Sequence, residues 1–240
     1  MAPALTSSSL AAILLGGFLP TLLWLWFWLK EDPHPEPRKT LVISFLLGMA
    51  AVPAVLLAEY LFYLAAVKLG IAGEGEIKSI FLLFGWAFLE EGAKFLTAWW
   101  ADLKRSVYDE PVDALIYLIT VALGFAALEN VLFLSNLAKE GLTASLITAD
   151  LRFFGATLLH TVTAGVMGVS IAFSFFHKEH RHRNIWGGII LATLLHGAFN
   201  AFIIQGATGT AILKTFSIVW ALIILLIFFF EKVKRIGPRP

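Results

Sequence analysis

The sequence predicts an all-α protein, a polytopic transmembrane helical bundle of about seven spans, with eight as the alternative count. Hydrophobic residues make up 59% of the 240 residues, only 15% are charged, and the mean hydropathy is +0.82. A soluble domain is about half apolar and about a quarter charged. Folded in water, this chain would have too little polar surface to cover itself, so the composition indicates a membrane protein.

Long apolar stretches give the predicted spans. A hydrocarbon core of about 30 Å requires about 20 apolar residues per helix. Such stretches lie at 9–29, 41–67, 77–100, 112–138, 149–176, 185–205 and 211–230. The connections are short, and the first, 31–37, is rich in proline and therefore stiff. Since no connection has room for a soluble domain, residues 1–240 are predicted to form a single integral membrane domain.

The first stretch, 9–29, is interpreted as a span and not as a signal peptide. No basic segment precedes it, its apolar run is long, and no small-x-small cleavage site follows. The cations Lys30, Arg38 and Lys39 come directly after it, which favours an N-terminus outside the cell.

The distribution of Lys and Arg predicts the orientation. One set of connections and the C-terminus holds twelve of the eighteen cations: Lys30, Arg38, Lys39, Lys104, Arg105, Lys178, Arg181, Arg183, Lys232, Lys234, Arg235 and Arg239. The other side holds five: Lys68, Lys78, Lys139, Arg152 and Lys214. By the positive-inside rule the first set is cytoplasmic, which places the C-terminus inside the cell. The expected location is the plasma membrane.

Charge and cysteine content exclude several functions. The net charge of +1 gives no reason to expect a nucleic-acid partner. The absence of cysteine excludes disulfides, thiolate metal sites, iron–sulfur clusters and cysteine nucleophiles. The lipid bilayer is the expected environment, and the function is expected in it or beside it.

Charged and polar residues inside the spans indicate where that function lies. A charge at mid-bilayer costs at least about 2.5–3.5 kcal/mol, so such residues mark functional sites by default. They are Glu59 in the second span, Glu90, Glu91 and Lys94 in the third, Glu129 and Asn130 in the fourth, His160 in the fifth, and His196 and Asn200 in the sixth.

Spacing predicts that several of these side chains meet. Glu90 and Lys94 are four residues apart, as are His196 and Asn200, so each pair shares a helix face. Paired glutamates beside a lysine can keep one carboxylate as a general base, and a histidine or an amide can stabilise an oxyanion. The same set could ligate zinc. Water activation for hydrolysis is one interpretation.

Two other functions stay open at this point. A proton- or ion-coupled transporter would use the same buried carboxylates, and a scaffold or immunity-type protein would tolerate their substitution. Known intramembrane protease signatures are missing: the sequence has no His-Glu-x-x-His, no Gly-x-Gly-Asp and no Gly-x-Ser-x-Gly.

Four motifs in order resemble the PrsW family of intramembrane proteases, which is distantly related to the type II CAAX prenyl endopeptidases and to bacteriocin-processing-like membrane proteins. The motifs are Glu90-Glu91-x-x-Lys94, Phe125-x-x-x-Glu129-Asn130, His160 in a glycine-rich helix, and His196-x-x-x-Asn200. The resemblance covers about 85–205. Asn200 stands where members of the family often carry aspartate.

The resemblance implies an intramembrane endopeptidase with its catalytic core within about 77–205. It implies the catalytic residues Glu90, Glu91, Glu129, His160, His196 and Asn200, supported by Lys94, Asn130 and Arg152. The glutamate pair would carry the general base, and the candidate zinc ligands are Glu91, Glu129, His160 and His196. The implied substrate is a single-pass membrane protein of the anti-sigma-factor kind, cut on its extracytoplasmic side.

Overall fold

The computed structural model describes residues 7–73, 75, 79–137, 155–205 and 209–237. These residues contain α-helices and no strand, which confirms the all-α prediction. The helices are α1 Ser7–Lys30, α2 Arg38–Lys68, α3 Ile80–Ala98, α4 Asp113–Leu137, α5 Thr157–Ala172, α6 Arg181–Gln205 and α7 Gly209–Val233.

The predicted spans match these helices, with the largest difference at α5. The fifth span was expected over 149–176, and α5 is 16 residues long; residues 149–154 lie outside the described part of the chain. By length and composition, five of the helices can cross a membrane: α1, α2, α4, α6 and α7. α5 is too short for that criterion, and α3 carries three charges. The protein is a multi-pass membrane protein, and seven spans stay a prediction.

Helix α4 forms the centre of the bundle. Of its most apolar 18-residue window, 78% is buried, against 22–33% for the four other spanning helices. It packs against α1, α2 and α5. A helix that is apolar on all sides belongs in the interior, where neighbouring helices cover every face.

Two glycines bring α2 and α4 into backbone contact. A Cβ on Gly48 would collide with the carbonyl of Val121, and a Cβ on Gly124 would collide with the carbonyl of Phe45. Small residues allow transmembrane helices to approach this closely. The contact fixes the position of α4 along the axis of α2. Helix α2 in turn packs on α3.

Helix α3 continues into a π-helical turn, Trp99–Leu103, that ties it to α2. The hydroxyl of Ser44 lies 2.9 Å from both carboxylate oxygens of the buried Asp102. The connection 31–37 is tied to α4 as well, since the hydroxyl of Tyr117 donates to Glu36 and His34 Nδ1 lies 3.0 Å from Glu110 Oε2. These contacts surround one end of the bundle and hold the helices that position the site.

Candidate active site

Lys94 on α3 lies at the middle of a buried polar centre and contacts three of its side chains. Its ammonium lies 2.8 Å from Glu91 Oε1, 3.3 Å from Glu90 Oε2 and 2.8 Å from His160 Nδ1. The side chains of Lys94 and Glu91 are both fully buried. All three partners face the ammonium because Glu90 and Glu91 precede it by one turn of α3, while α5 supplies the histidine.

His160 bridges α3 and α4. Because an ammonium has only donors, His160 Nδ1 must accept from Lys94. The proton of the neutral ring is therefore on Nε2, which lies 2.8 Å from Glu129 Oε2 and donates to it. Both ring nitrogens are engaged, so the imidazole is fixed in position and tautomer.

His196 on α6 has the opposite tautomer. Its Nδ1 lies 2.7 Å from Glu91 Oε1, and a carboxylate can only accept, so Nδ1 carries the proton. In the neutral ring Nε2 keeps its lone pair, and it lies 3.9 Å from Glu90 Oε1. The two imidazoles meet edge to face with centroids 5.3 Å apart.

Four residues can offer donor atoms to one metal ion. Glu90, Glu91, His160 and His196 each place one ligand atom within 4.8 Å of the others. Glu91 Oε2 is buried and has no hydrogen-bond partner. Burial differs within the group: Glu90 is 12% exposed, whereas the other three side chains are exposed by 4% or less.

The remaining predicted residues lie around this centre. Glu129, 31% exposed, contacts it through His160. Asn130 is buried on α4 and donates to Thr157 Oγ1 at 3.1 Å, which joins α4 to the start of α5. Asn200 lies half-buried on α6, one turn beyond His196, and among the described residues no hydrogen bond joins it to the centre. Arg152 lies outside the described residues.

One residue that the spacing argument left without a partner is Glu59. It lies half-buried on α2 and interacts electrostatically with Glu90, Glu129 and His196. The indole of Trp86, one turn before Glu90, donates to the Glu59 carbonyl at 3.2 Å. The sequence indicates this proximity through membrane depth. Glu59 is nine residues from the end of α2 and Glu129 is eight from the end of α4, so the two glutamates lie at a similar depth.

Comparison with known proteins agrees with this geometry. The family model described as PrsW family intramembrane metalloprotease matches residues 36–230. Protease PrsW of Oceanobacillus iheyensis is 27% identical over 206 residues, which are 85% of this chain and 88% of that protein. Protease PrsW of Bacillus subtilis is 28% identical over 79% of this chain and 81% of that protein. Protease PrsW of Clostridioides difficile is 29% identical over 76% and 75%. No solved structure matches.

A multi-pass helical bundle with a buried centre of carboxylates, imidazoles and an ammonium, in a chain similar to these proteases, belongs to the class of intramembrane hydrolases. Within that class, the chain belongs to the PrsW family of intramembrane metalloproteases. It is a protease that works inside a lipid bilayer, as the motifs of α3 to α6 predicted.

Proposed function

We propose that the protein hydrolyses a peptide bond of a single-pass membrane protein at the centre formed by Glu90, Glu91, Lys94, His160 and His196. The observation that carries this proposal is the convergence of two carboxylates and one imidazole on one fully buried ammonium, with a second imidazole bound to Glu91, from three helices. Burying such a set in an apolar bundle is costly, and the set contains the groups that water activation requires.

Glu90 is the general base. Of the four residues that could hold a metal, it has the largest exposed fraction, 12%, which leaves room for a water molecule beside it. Glu91 has no exposed surface, and its Oε1 already accepts from Lys94 and His196. Its role is to hold these two side chains in place. Glu90 takes a proton from water as the oxygen attacks the carbonyl carbon, and Lys94 stabilises the resulting negative charge. Glu90 then returns this proton to the amide nitrogen as the C–N bond breaks, which releases an amine and a carboxylic acid.

The two histidines have different roles because their nitrogens have different partners. His196 Nε2 faces Glu90, where it orients the attacking water. His160 positions Lys94 and is itself held by Glu129. Asn200, one turn from His196, stabilises the oxyanion of the substrate carbonyl. Asn130 supports the packing of α4 on α5, and Arg152 is a supporting residue by the family resemblance.

Zinc fits the donor types of this centre, but His160 could bind it only by giving up the hydrogen bond from Lys94 to its Nδ1. Glu91, His160 and His196 are the three most buried members of the group, and Glu91 Oε2 is a buried oxygen without a partner. Two imidazoles and one carboxylate are ordinary catalytic zinc ligands. When bound, zinc would act as a Lewis acid on the substrate carbonyl. Glu90 stays the base, since it is the more exposed carboxylate.

The substrate we propose is an anti-sigma-factor-like membrane protein, by resemblance to the family. The Lys/Arg distribution supports an outside N-terminus, a cytoplasmic C-terminus and the plasma membrane. In this orientation α3 enters from the outer side, and Glu90 follows its first residue by ten positions, or about 15 Å. The cut is then made within the membrane, in the core of residues 77–205.

The test uses purified protein in liposomes with a panel of single-pass membrane proteins from its own source. Cleavage is followed by mass spectrometry for the wild type, Glu90→Gln and His196→Ala, with and without a chelator. We expect loss of cleavage in both variants, and chelator inhibition that added zinc reverses. Glu231→Gln, which alters a carboxylate on α7 paired with Lys234, is the matched control and should cleave normally.

Two results would overturn the proposal. Cleavage by Glu90→Gln and His196→Ala at the wild-type rate would place the active site elsewhere. No cleavage of any substrate, together with a proton or ion flux that Glu90→Gln abolishes, would show that the centre serves transport. Chelator resistance of an active wild type would refute the zinc part alone.

A further inference from the structure

A second polar pocket lies away from the active centre, at the end of the bundle where α3 and α5 end and α6 begins. Its volume is about 690 Å³. Four cations line it: Lys104, Arg105, Lys178 and Arg181. This concentration of positive charge belongs to the side of the protein that is predicted to be cytoplasmic, but charge alone does not make it a binding site.

The pocket is rich in donors and poor in acceptors. Within the described residues, none of the four cations has a carboxylate within ion-pair distance. Arg181 Nη2 donates to the Leu103 carbonyl at 3.3 Å. The acid in the lining is Glu179, which already lies 3.4 Å from His177 and 3.8 Å from His180. The pocket therefore keeps a positive charge that its own residues do not balance.

Tyr108 adds a buried, unpaired donor at the wall of the pocket. It lines the pocket, and its hydroxyl is buried without a hydrogen-bond partner. Its ring packs edge to face on Phe175 at 5.1 Å, and its hydroxyl interacts electrostatically with Arg181. Burial raises the pKa of Tyr108 above its ordinary value, so the phenol stays protonated and acts as a donor. A buried donor without an acceptor costs about as much as a lost hydrogen bond.

Exposed tryptophans lie near the pocket in the sequence. Trp100 precedes Lys104 by four residues and Trp186 follows Arg181 by five, and they are 65% and 53% exposed. The ammonium of Lys104 lies 3.0 Å from the centre of the Trp100 ring. Exposed tryptophans and basic residues at helix ends mark the depth of lipid headgroups.

We propose that this pocket binds a phosphate anion, carried by a lipid headgroup or free in solution. Phosphate oxygens accept several hydrogen bonds at once, and Arg, Lys and hydroxyl donors around one cavity are the partners they require. Basic pockets between transmembrane helices bind anionic headgroups in this way. The exposed Trp100 ring, in contact with Lys104, favours the lipid source. The proposal is independent of peptide hydrolysis, because the pocket holds none of the residues assigned to it.

The test titrates detergent-solubilised full-length protein with short-chain phosphatidylglycerol, phosphatidylcholine or inorganic phosphate and follows binding by calorimetry. We expect phosphatidylglycerol to bind at least about 10-fold more tightly than phosphatidylcholine. Tyr108→Phe keeps the ring and removes the hydroxyl, and it should weaken that binding about 10-fold, the effect of one hydrogen bond to a charged group. Arg181→Gln should weaken it further.

A matched control and a second measurement make the result decisive. Lys232→Gln removes a cation that contacts Phe173 and Phe229 near the same boundary but outside the pocket, and it should leave binding unchanged. If inorganic phosphate binds with the same dependence on Tyr108, free phosphate is the ligand. The proposal is overturned if neither phosphatidylglycerol nor inorganic phosphate binds more tightly than phosphatidylcholine, or if Tyr108→Phe raises the thermal midpoint equally with and without the anion that binds.

Discussion

Lys94→Met tests whether the buried ammonium holds the active centre together. The substitution keeps an unbranched stem and removes the charge that faces Glu90, Glu91 and His160. Glu91 then stays charged and fully buried, and the N–H of His196 is its one remaining hydrogen-bond donor among the described residues. Removing one partner of a buried ion pair costs about 3–5 kcal/mol. At an effective dielectric constant of 20, the pair at 2.8 Å is worth about 6 kcal/mol before desolvation, which is compatible with that range.

A double substitution separates the ion pair from simple loss of packing. Glu91→Gln alone is expected to lower the free energy of unfolding by a similar amount, because it leaves Lys94 with one carboxylate partner, Glu90. If the two residues stabilise each other, Glu91→Gln combined with Lys94→Met should cost about 2–3 kcal/mol less than the sum of the single variants. Unfolding in mixed micelles, followed by helical circular dichroism, measures all four proteins.

Lys234→Met is the matched control for this cycle. Lys234 also contacts two carboxylates, Glu31 at 3.1 Å and Glu231 at 2.6 Å, but its side chain is 17% exposed. A more exposed pair is worth about 0–1 kcal/mol. A structural role for the buried ion pair is refuted if Lys94→Met lowers the free energy of unfolding no more than Lys234→Met does. It is also refuted if the double variant loses the full sum of the two single losses.

Three further predictions follow from the geometry. Glu129→Gln keeps an oxygen acceptor and should leave stability within about 1 kcal/mol while slowing cleavage about 10- to 100-fold, measured as the initial rate in liposomes. Burial raises the pKa of Glu36 above its ordinary 4.5, so the folded state binds this proton more tightly and stability falls as pH rises above that value. Glu36→Gln, which still accepts from Tyr117, should flatten this fall in the thermal midpoint. Gly48→Val should lower the thermal midpoint because its side chain forces α2 away from α4. Gly187→Val, whose side chain meets open space, should lower the thermal midpoint less.

The sequence predicted which residues meet because the bilayer restricts where charges can lie. Glu90, Glu91, His160 and His196 fall at middle depth in three apolar stretches, and their cost in lipid forces them toward one another. That convergence is found. The partner of Lys94 was predicted less well: the four-residue spacing points to Glu90, yet Glu91 lies closer, at 2.8 Å against 3.3 Å.

The details that the sequence did not predict depend on tertiary packing. Nothing local distinguishes the two tautomers, since these follow from which neighbour each ring nitrogen meets across the bundle. The π-helical turn at 99–103 has no composition signal either, and its Asp102 finds Ser44 only because α2 passes beside it. Glu59 is similar, as its neighbours Glu90 and Glu129 belong to other helices.

The contacts of Lys94 and Glu91 both fix the helices and prepare the chemistry, so activity and stability separate at Glu90 and Glu129 but not at Lys94 or Glu91. Lys94 and Glu91 hold α3 against α5 and α6, and any change there alters both. Glu90 contributes weaker contacts, 3.3 Å to Lys94 and 3.9 Å to His196, and it is 12% exposed. Glu90→Gln should therefore unfold within about 1 kcal/mol of the wild type and still lose about 100-fold or more in cleavage rate. An unchanged free energy of unfolding together with lost cleavage supports Glu90 as the base. If Glu90→Gln and Glu91→Gln instead lose equal amounts of unfolding free energy and of cleavage rate, the two glutamates act as one structural unit.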